Sequence, residues 1–183
     1  MALGAFILVV VGAAGACVVA FVNTGAEPEL RVALAEIEPG VPRFEPITSW
    51  GADDDQFTYG IWVTQIARVG TRAYFSRDVN SGCHIQWRAT EQVGAVTGVF
   101  RDPCSGSLYD LGGGAIGGPA TRDLDTFDVE ARPGVVVIDF SVLHIGDCRA
   151  DADPDEPICN PPDGTTTRSV PRNTALPNDF ARR

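Results

Sequence analysis

Few side chains in this sequence could carry out catalysis or bind a metal ion, because the chain has five cysteines, two histidines and no lysine. Without lysine, a Schiff-base enzyme, a P-loop nucleotide site and a lysine general base are all excluded. No G-x-S-x-G sequence frames a serine nucleophile. The glycine-rich run at residues 112–118 lacks the strand and helix that flank a dinucleotide-binding loop. The functional interpretation of this sequence therefore depends mostly on its cysteines and acidic residues.

The net charge limits the class of partner. Fourteen basic side chains against 24 acidic ones give a formal charge of −10 at pH 7. Nucleic-acid binding depends on excess basic side chains that neutralise phosphates, so we expect no nucleic-acid partner. Acidic runs at residues 53–55 and 151–156 are expected to be solvated loops. The alternative is that one of them faces a basic partner such as a c-type cytochrome.

Cys148 and Cys159 bracket a short acidic segment that has neither helical nor strand periodicity. A disulfide is the usual way to hold such a segment, and a metal site is disfavoured because no second Cys or His pair accompanies it. We therefore predict a Cys148–Cys159 disulfide. Because disulfides persist in oxidising compartments, the domain is predicted to lie on the periplasmic or extracytoplasmic side.

Residues 2–22 carry no charge and no strongly polar side chain. A helix of this length, at about 1.5 Å per residue, spans roughly 31 Å, close to the hydrocarbon thickness of a bilayer. A cleaved signal peptide begins with basic residues, which residues 1–4 lack, and the sequence before Cys17 is a poor lipoprotein processing site. We therefore favour a permanent single-pass transmembrane helix over residues 1–26 and a location in the cell membrane.

Strand patterns dominate residues 27–159. Runs rich in β-branched and aromatic residues are bounded by Gly, Pro or Asp, and no stretch has the length and period of a substantial helix. This pattern predicts an all-β sandwich or barrel. An amphipathic helix is the alternative at residues 31–38. The predicted strands lie at residues 31–38, 59–67, 72–77, 85–87, 96–100, 108–109, 127–129 and 135–143.

Two short segments in the middle of the chain follow a recognisable order. The first is DVNSGC at 78–83, and the second is DPCSGS at 102–107, followed by LYD at 108–110 and GPAT at 118–121. In this order the segments resemble the Rieske iron–sulfur domain, whose cluster loops have the patterns Cys-x-His-x-x-Cys and Cys-x-Cys-His-Gly-Ser before a Gly-Pro-Ala-Pro loop. The resemblance implies a Rieske-like antiparallel β sandwich or barrel.

The resemblance also assigns the positions of the cluster ligands. A Rieske cluster takes two Cys thiolates on one iron and two His nitrogens on the other. The matching positions of this chain hold oxygen-bearing or amide side chains instead: Asp78, Asn80, Asp102 and Ser105. Two other pairs of family residues are retained. Cys83 and Cys104 match the cysteines that join the two loops by a disulfide in the family. Ser107 and Tyr109 match the residues that donate hydrogen bonds to the cluster. We therefore expect a domain without a cluster or any other cofactor.

Other uses of the four positions are weaker. Oxygen donors could hold a hard cation such as Ca²⁺, but such sites usually recruit more carboxylates. Asp78 and Asp102 could form an acid–base pair, but this needs a pocket and perturbed pKa values. We expect instead that these side chains fill solvent-facing loop tips and hydrogen-bond to the backbone. Neither His84 nor His144 lies at a ligand position.

Residues 160–183 are rich in Pro, Thr, Asn and Arg, which predicts an extended polar tail. We expect a partner subunit to provide its docking surface. Together the features predict a non-catalytic accessory subunit of a respiratory or photosynthetic electron-transfer complex, with integral membrane subunits and the lipid bilayer as partners. The alternatives are a membrane-anchored module that recruits a soluble carrier such as a c-type cytochrome, and an enzyme with an unusual site.

Overall fold

The computed structural model describes residues 28–52, 56–149, 151, 165–171, 175–177 and 180. The predicted transmembrane helix at 1–26, the acidic residues 53–55 and 152–156, and Cys159 lie outside the described residues. Within the described ranges, no helix is long and apolar enough to cross a membrane.

The described chain forms an all-β domain, as the strand patterns predict. Two single-turn 3₁₀ helices, Leu34–Glu36 and Thr48–Trp50, interrupt the strands. The strands are β1 Glu29–Ala33, β2 Arg43–Pro46, β3 Gly60–Ile66, β4 Gly70–Phe75, β5 Gln86–Val93, β6 Val96–Arg101, β7 Leu108–Tyr109, β8 Ala115–Gly117, β9 Thr126–Arg132, β10 Val135–His144 and β11 Thr167–Ser169.

The larger sheet has the antiparallel order β1-β10-β9-β4-β3-β2, with β11 paired to β10. Strands β4 and β9 pair at Tyr74 and Thr126, and strands on both sides of this pair contribute residues to the main core. Trp50 lies at the centre of that core, with its ring 5.6 Å from Phe75 and 5.8 Å from Phe127. The second sheet packs against this one.

The smaller sheet, in the order β5-β6-β7-β8, carries the two segments that resemble cluster loops. The segment 78–83 precedes β5, and the segment 102–107 joins β6 to β7. A second apolar cluster packs around these strands and includes Val79 of the first segment. It consists of Tyr74, Val79, Ile85, Phe100, Tyr109, Ala120 and Leu124, with Trp62, Trp87 and Ala115 packed against it.

The strand bounds depart from the sequence prediction in several ways. The strands predicted at 85–87 and 127–129 are longer in the structure, at Gln86–Val93 and Thr126–Arg132. The predicted strand at 31–38 ends at Ala33, because the amide of Leu34 turns to donate to the carbonyl of Gly134 and a 3₁₀ turn follows. Strands β2, β8 and β11 were not predicted; they are only three or four residues long and contain Pro, Gly or polar residues. Their extended conformation comes from pairing with longer neighbours.

The described part of the C-terminal segment packs on this domain, and the partner subunit expected for this segment stays a prediction. Strand β11 pairs with β10, and Val170, Leu176 and Phe180 are buried in the same core as Trp50. The amide of Leu176 donates to the carbonyl of Trp50 at 3.0 Å. Three apolar side chains of a polar segment thus help to fix it, because each fills space in the main core.

Candidate functional site

The first loop, residues 78–83, is folded around the side chain of Asp78. The Asp78 Oδ2 atom accepts hydrogen bonds from the backbone amides of Asn80 at 2.9 Å and Ser81 at 2.6 Å. The Asp78 amide donates to the carbonyl of Cys83 at 2.8 Å, and the amide of Gly82 donates back to the Asp78 carbonyl at 2.9 Å. The carboxylate therefore satisfies the amides that the tight turn leaves without backbone partners.

The second loop, residues 102–107, repeats this arrangement. The Asp102 carboxylate accepts the amides of Cys104 at 3.0 Å and Ser105 at 2.7 Å, together with the Ser105 hydroxyl. The Asp102 amide donates to the carbonyl of Ser107 at 2.9 Å, and the amide of Gly106 donates to the Asp102 carbonyl at 3.0 Å. The two loops are therefore two copies of one turn, with the aspartate at the same position in each.

The shared turn explains the repeated sequence pattern Asp-x-x-x-Gly. The fifth residue of each loop, Gly82 or Gly106, has a positive φ, 78° and 82° respectively, which favours glycine. The first residue must offer a short acceptor that reaches the amides two and three positions along the chain, and aspartate does so. The pattern is the local signal from which this geometry could have been predicted.

Two contacts join the loops to each other and to the sheet below. Cys83 and Cys104 form a disulfide across a sequence separation of 21 residues, which is the pair that the resemblance implies. The hydroxyl of Tyr109, on β7 behind the second loop, donates to Oδ1 of Asp78 in the first loop at 2.6 Å. The disulfide and the buried Tyr109–Asp78 hydrogen bond therefore fix the positions of the two loops relative to each other.

The burial of the two aspartates differs from the solvent-facing position expected from sequence. Asp78 and Asp102 are both 0% exposed, whereas Asn80 and Ser105 are half-buried. Burying a carboxylate is unfavourable unless hydrogen bonds replace its water shell. Here each carboxylate accepts three hydrogen bonds from its own loop or from Tyr109. The expectation of hydrogen bonding to the backbone agrees with these contacts, and the expectation of exposure is wrong.

The Tyr109 hydroxyl remains protonated under ordinary conditions. Burial raises its pKa far above the usual value, and the charge of Asp78 and the hydrogen bond to it raise the pKa further. Tyr109 therefore acts as a permanent donor to the Asp78 carboxylate. The hydroxyl of Ser107 lies 2.9 Å from that of Ser105. Both side chains that the resemblance expects to donate to a cluster thus contact a residue at a vacated ligand position.

A third segment, the GPAT sequence at 118–121, packs directly against the second loop. Gly118 has a φ of +70°, and a Cβ atom there would lie 2.3 Å from the carbonyl oxygen of Gly106. Only glycine allows this approach. Beyond it, Arg122 and Asp125 form an ion pair with both side chains buried, and Asp125 also accepts the amide of Gly146 at 3.0 Å. Sequence analysis missed this ion pair, because Arg and Asp three residues apart are common on exposed turns.

The side chains at the vacated positions do not fit a Rieske cluster. An iron–sulfur centre of this type needs two thiolates and two imidazoles, whereas these positions supply carboxylates, an amide and a hydroxyl. His84 is buried against the rings of Phe44 and Phe57, 4.9 Å and 5.6 Å away. The Nε2 atom of His144, on β10, lies 3.1 Å from Asp128 Oδ2. Neither histidine occupies a ligand position.

One group of side chains has the composition of a metal site. The sulfur atoms of Cys83 and Cys104 and a carboxylate oxygen of Asp102 all lie within 4.8 Å of one another. The two sulfurs are bonded to each other, so they are not available as thiolate ligands in this state. Cys148 is also disulfide-bonded; its predicted partner, Cys159, lies outside the described residues, so that pairing stays a prediction.

The domain defined by this geometry is an all-β fold with two matching aspartate-capped loops cross-linked at their tips. No family model and no curated protein matches the sequence. Among solved structures, a chain described as a nitrite reductase NADPH small subunit is 13% identical, with a TM-score of 0.40, covering 60% of this chain and 96% of that one. A chain of a hyperthermophilic respiratory Complex III is 22% identical, with a TM-score of 0.44, covering 62% of this chain and 75% of that one.

Proposed function

We propose that this chain is a non-catalytic accessory subunit of a membrane-bound electron-transfer complex. In this proposal a Rieske-like domain without a cluster serves assembly, stabilisation or docking. The observation that carries the proposal is the use of Asp78 and Asp102 as buried loop caps at positions that the resemblance assigns to cluster ligands.

In this proposal the two aspartate caps hold the loops without a metal centre. Hydrogen bonds to an ionised group contribute about 1.5–3 kcal/mol each, more than neutral ones. Each carboxylate accepts three such bonds, and the disulfide joins the loop tips. A domain built in this way keeps the shape of the two loops without a cluster.

The proposed location combines two further observations. The apolar segment at 2–22 is long enough to cross a bilayer, which places integral membrane subunits within reach. The disulfides at Cys83–Cys104 and at Cys148 favour an oxidising compartment. We therefore propose a single-pass subunit whose domain lies on the periplasmic or extracytoplasmic side.

Iron analysis and electron paramagnetic resonance test the absence of redox activity. The full chain is purified, treated with iron and sulfide under reducing conditions, and compared with a variant carrying Asp78→Cys, Asn80→His, Asp102→Cys and Ser105→His. We expect a Rieske-type signal from the ligand-restored variant and none from the wild type. A Rieske-type signal from the wild type would overturn the proposal.

Affinity purification from native membranes tests the structural role. We expect the tagged chain to co-purify with integral membrane subunits of a redox complex, and we expect its deletion to reduce the amount of assembled complex. Re-expression of the full chain should restore assembly, and re-expression without residues 1–26 should not. Unchanged assembly, stability and cytochrome docking after deletion would refute the role.

A second candidate function is a membrane-anchored module that recruits a basic soluble carrier, such as a c-type cytochrome. The acidic balance of the chain favours it, and so does a group of neighbouring carboxylates. Burial raises the pKa of Asp123, and the charges of Asp147 and Asp110 raise it further, whereas a hydrogen bond from the Ala115 amide lowers it. These three aspartates therefore lie close enough to one another to interact, beside the glycine-rich turn.

Association with a basic cytochrome, measured at increasing ionic strength, distinguishes this candidate. Binding that weakens with salt and is reduced by Asp147→Asn would support recruitment. Asp128→Asn is the matched control, because it removes the same type of side chain at a different place, on β9 beside His144. No binding at low ionic strength would exclude this candidate.

A further inference from the structure

We propose that reduction of the Cys83–Cys104 disulfide creates a binding site for a soft divalent cation such as Zn²⁺, with the two thiolates and the Asp102 carboxylate as ligands. The inference is independent of the accessory-subunit proposal. It rests on three ligand atoms that the two loops bring together and on the way the loops hold them.

The distances suit a small tetrahedral ion. The two sulfurs and the carboxylate oxygen lie within 4.8 Å of one another. In a tetrahedral zinc site, with Zn–S near 2.3 Å and Zn–O near 2.1 Å, neighbouring ligand atoms lie roughly 3.6–3.8 Å apart. Opening the disulfide and moving each loop tip by on the order of 1 Å gives this spacing. Two thiolates and one carboxylate leave the fourth position for water.

The carboxylate is already held in place. Asp102 is fully buried, and the amides of Cys104 and Ser105 and the Ser105 hydroxyl fix its orientation. Such hydrogen bonds around a ligand are a regular feature of protein metal sites. The site therefore does not need to order a mobile side chain when an ion binds.

The loops also have the means to stay folded without the disulfide. Each is closed by its own carboxylate and backbone hydrogen bonds, and the Tyr109 hydroxyl still joins β7 to Asp78. The thiols released by reduction therefore remain near each other. This distinguishes the pair from a disulfide whose loss would let two free loops separate.

The disulfide is accessible from one side. Cys104 is exposed, Cys83 is half-buried and Asp102 is buried beneath them. A dithiol reductant can attack the Cys104 sulfur, and Cys83 then leaves as the thiolate. The dithiol supplies two electrons and two protons and becomes a disulfide, while the protein gains two thiols. Binding of Zn²⁺ then releases both thiol protons to solvent.

Reduction and metal binding must be coupled. Two thiolates beside a buried carboxylate repel one another unless a cation lies between them. An ion that binds the reduced form and not the disulfide form stabilises the reduced form by mass action. With the metal at a hundred times its dissociation constant, the dithiol–disulfide equilibrium shifts about a hundredfold, which raises the midpoint potential by about 60 mV.

Cobalt titration of the reduced full chain is the direct test. The chain is reduced with a phosphine, its fold is checked by near-ultraviolet circular dichroism, and Co²⁺ is added while thiolate-to-cobalt absorption is recorded. We expect saturable absorption in the reduced protein, competition by Zn²⁺, and none in the oxidised protein. The potential, measured with and without Zn²⁺, should rise as calculated.

Two matched variants locate the site. We expect Asp102→Asn to weaken Co²⁺ binding by about 10-fold or more. Losing a residue that only hydrogen-bonds to a metal ligand already lowers metal affinity by about 10–100-fold. Asp128→Asn, which removes the charge of an exposed carboxylate on β9, should leave the affinity unchanged. The inference is overturned if folded, reduced protein shows no thiolate–cobalt absorption or if reduction abolishes the near-ultraviolet spectrum. Absorption that persists in Cys83→Ser/Cys104→Ser, which keeps the other three cysteines, would equally overturn it.

Discussion

Replacing Tyr109 by Phe tests the central feature of the site, the internal capping of the first loop. The substitution removes one hydroxyl from a side chain that is 0% exposed and leaves Asp78 with two of its three donors. The ring stays in the core, so no cavity larger than the oxygen forms. The measured effect therefore reports the hydrogen bond and the desolvated carboxylate beneath it.

The expected loss of stability is about 2 kcal/mol, because a hydrogen bond to an ionised group contributes about 1.5–3 kcal/mol. For a chain of this length such a loss lowers the melting temperature by about 4–8 °C. Tyr74→Phe is the matched control, because Tyr74 is 1% exposed in the same apolar cluster. Its hydroxyl donates to the neutral carbonyl of Leu111 at 3.3 Å, so we expect a loss of about 1 kcal/mol or less.

Urea denaturation at neutral pH measures both variants, and equal m-values establish that the denaturation midpoints can be compared. If Tyr109→Phe destabilises the protein no more than Tyr74→Phe does, Asp78 does not depend on Tyr109. The account of the first loop as closed from within would then be wrong.

Four further outcomes are expected from the same measurements. Cys83→Ser/Cys104→Ser should lower the free energy of unfolding by about 3 kcal/mol, since the bond closes a loop of 21 residues; no change would show that the loops do not need it. Gly113→Ala should destabilise by about 1–3 kcal/mol, because its Cβ would lie 2.6 Å from the Tyr74 ring at a φ of +84°; wild-type stability would refute this packing. Burial raises the pKa of Tyr74 from 10.0 to about 12, so its contribution is complete below pH 10 and is lost between pH 10 and 12, by about 1.4 kcal/mol per pH unit; an alkaline profile of Tyr74→Phe as steep as that of the wild type would contradict it. Phe180→Ala should cost about 3–5 kcal/mol and accelerate proteolysis of the C-terminal segment, and unchanged proteolysis would show that this residue does not hold the segment.

The geometry of the two loops can be predicted only in part from the sequences of the loops themselves. The spacing of Asp78 and Gly82, repeated at Asp102 and Gly106, predicts a tight turn with a side-chain cap. Nothing in the two patterns distinguishes an exposed turn from a buried one. Burial depends on distant residues such as Tyr109, which contacts Asp78, and Gly118, which approaches Gly106 closely. Sequence reasoning therefore predicted the hydrogen bonds between these side chains and the backbone but placed the carboxylates at solvent-facing loop tips, whereas Asp78 and Asp102 are buried.

The conformation of the strands likewise depends partly on their own sequences and partly on distant residues. Long strands such as β3 and β10 carry their own β-branched and alternating patterns, and they were predicted within a few residues. Strands β2, β8 and β11 are too short to carry a pattern and are extended because a neighbour pairs with them. The attachment of the polar C-terminal segment was missed for a related reason, since irregularly spaced apolar residues give no period.

The attachment of the C-terminal segment has a consequence for the order in which the chain folds during synthesis. The guanidinium of the fully buried Arg77 donates to the carbonyl of Pro177, 100 residues later, at 2.8 Å. At about 5–20 residues per second, a ribosome needs on the order of 5–20 s to make that intervening stretch. The main core also lacks Leu176 and Phe180 until then. The domain consequently closes only after nearly all of these residues have been made, and a chain exported during translation would pass through the translocation channel before its core is complete.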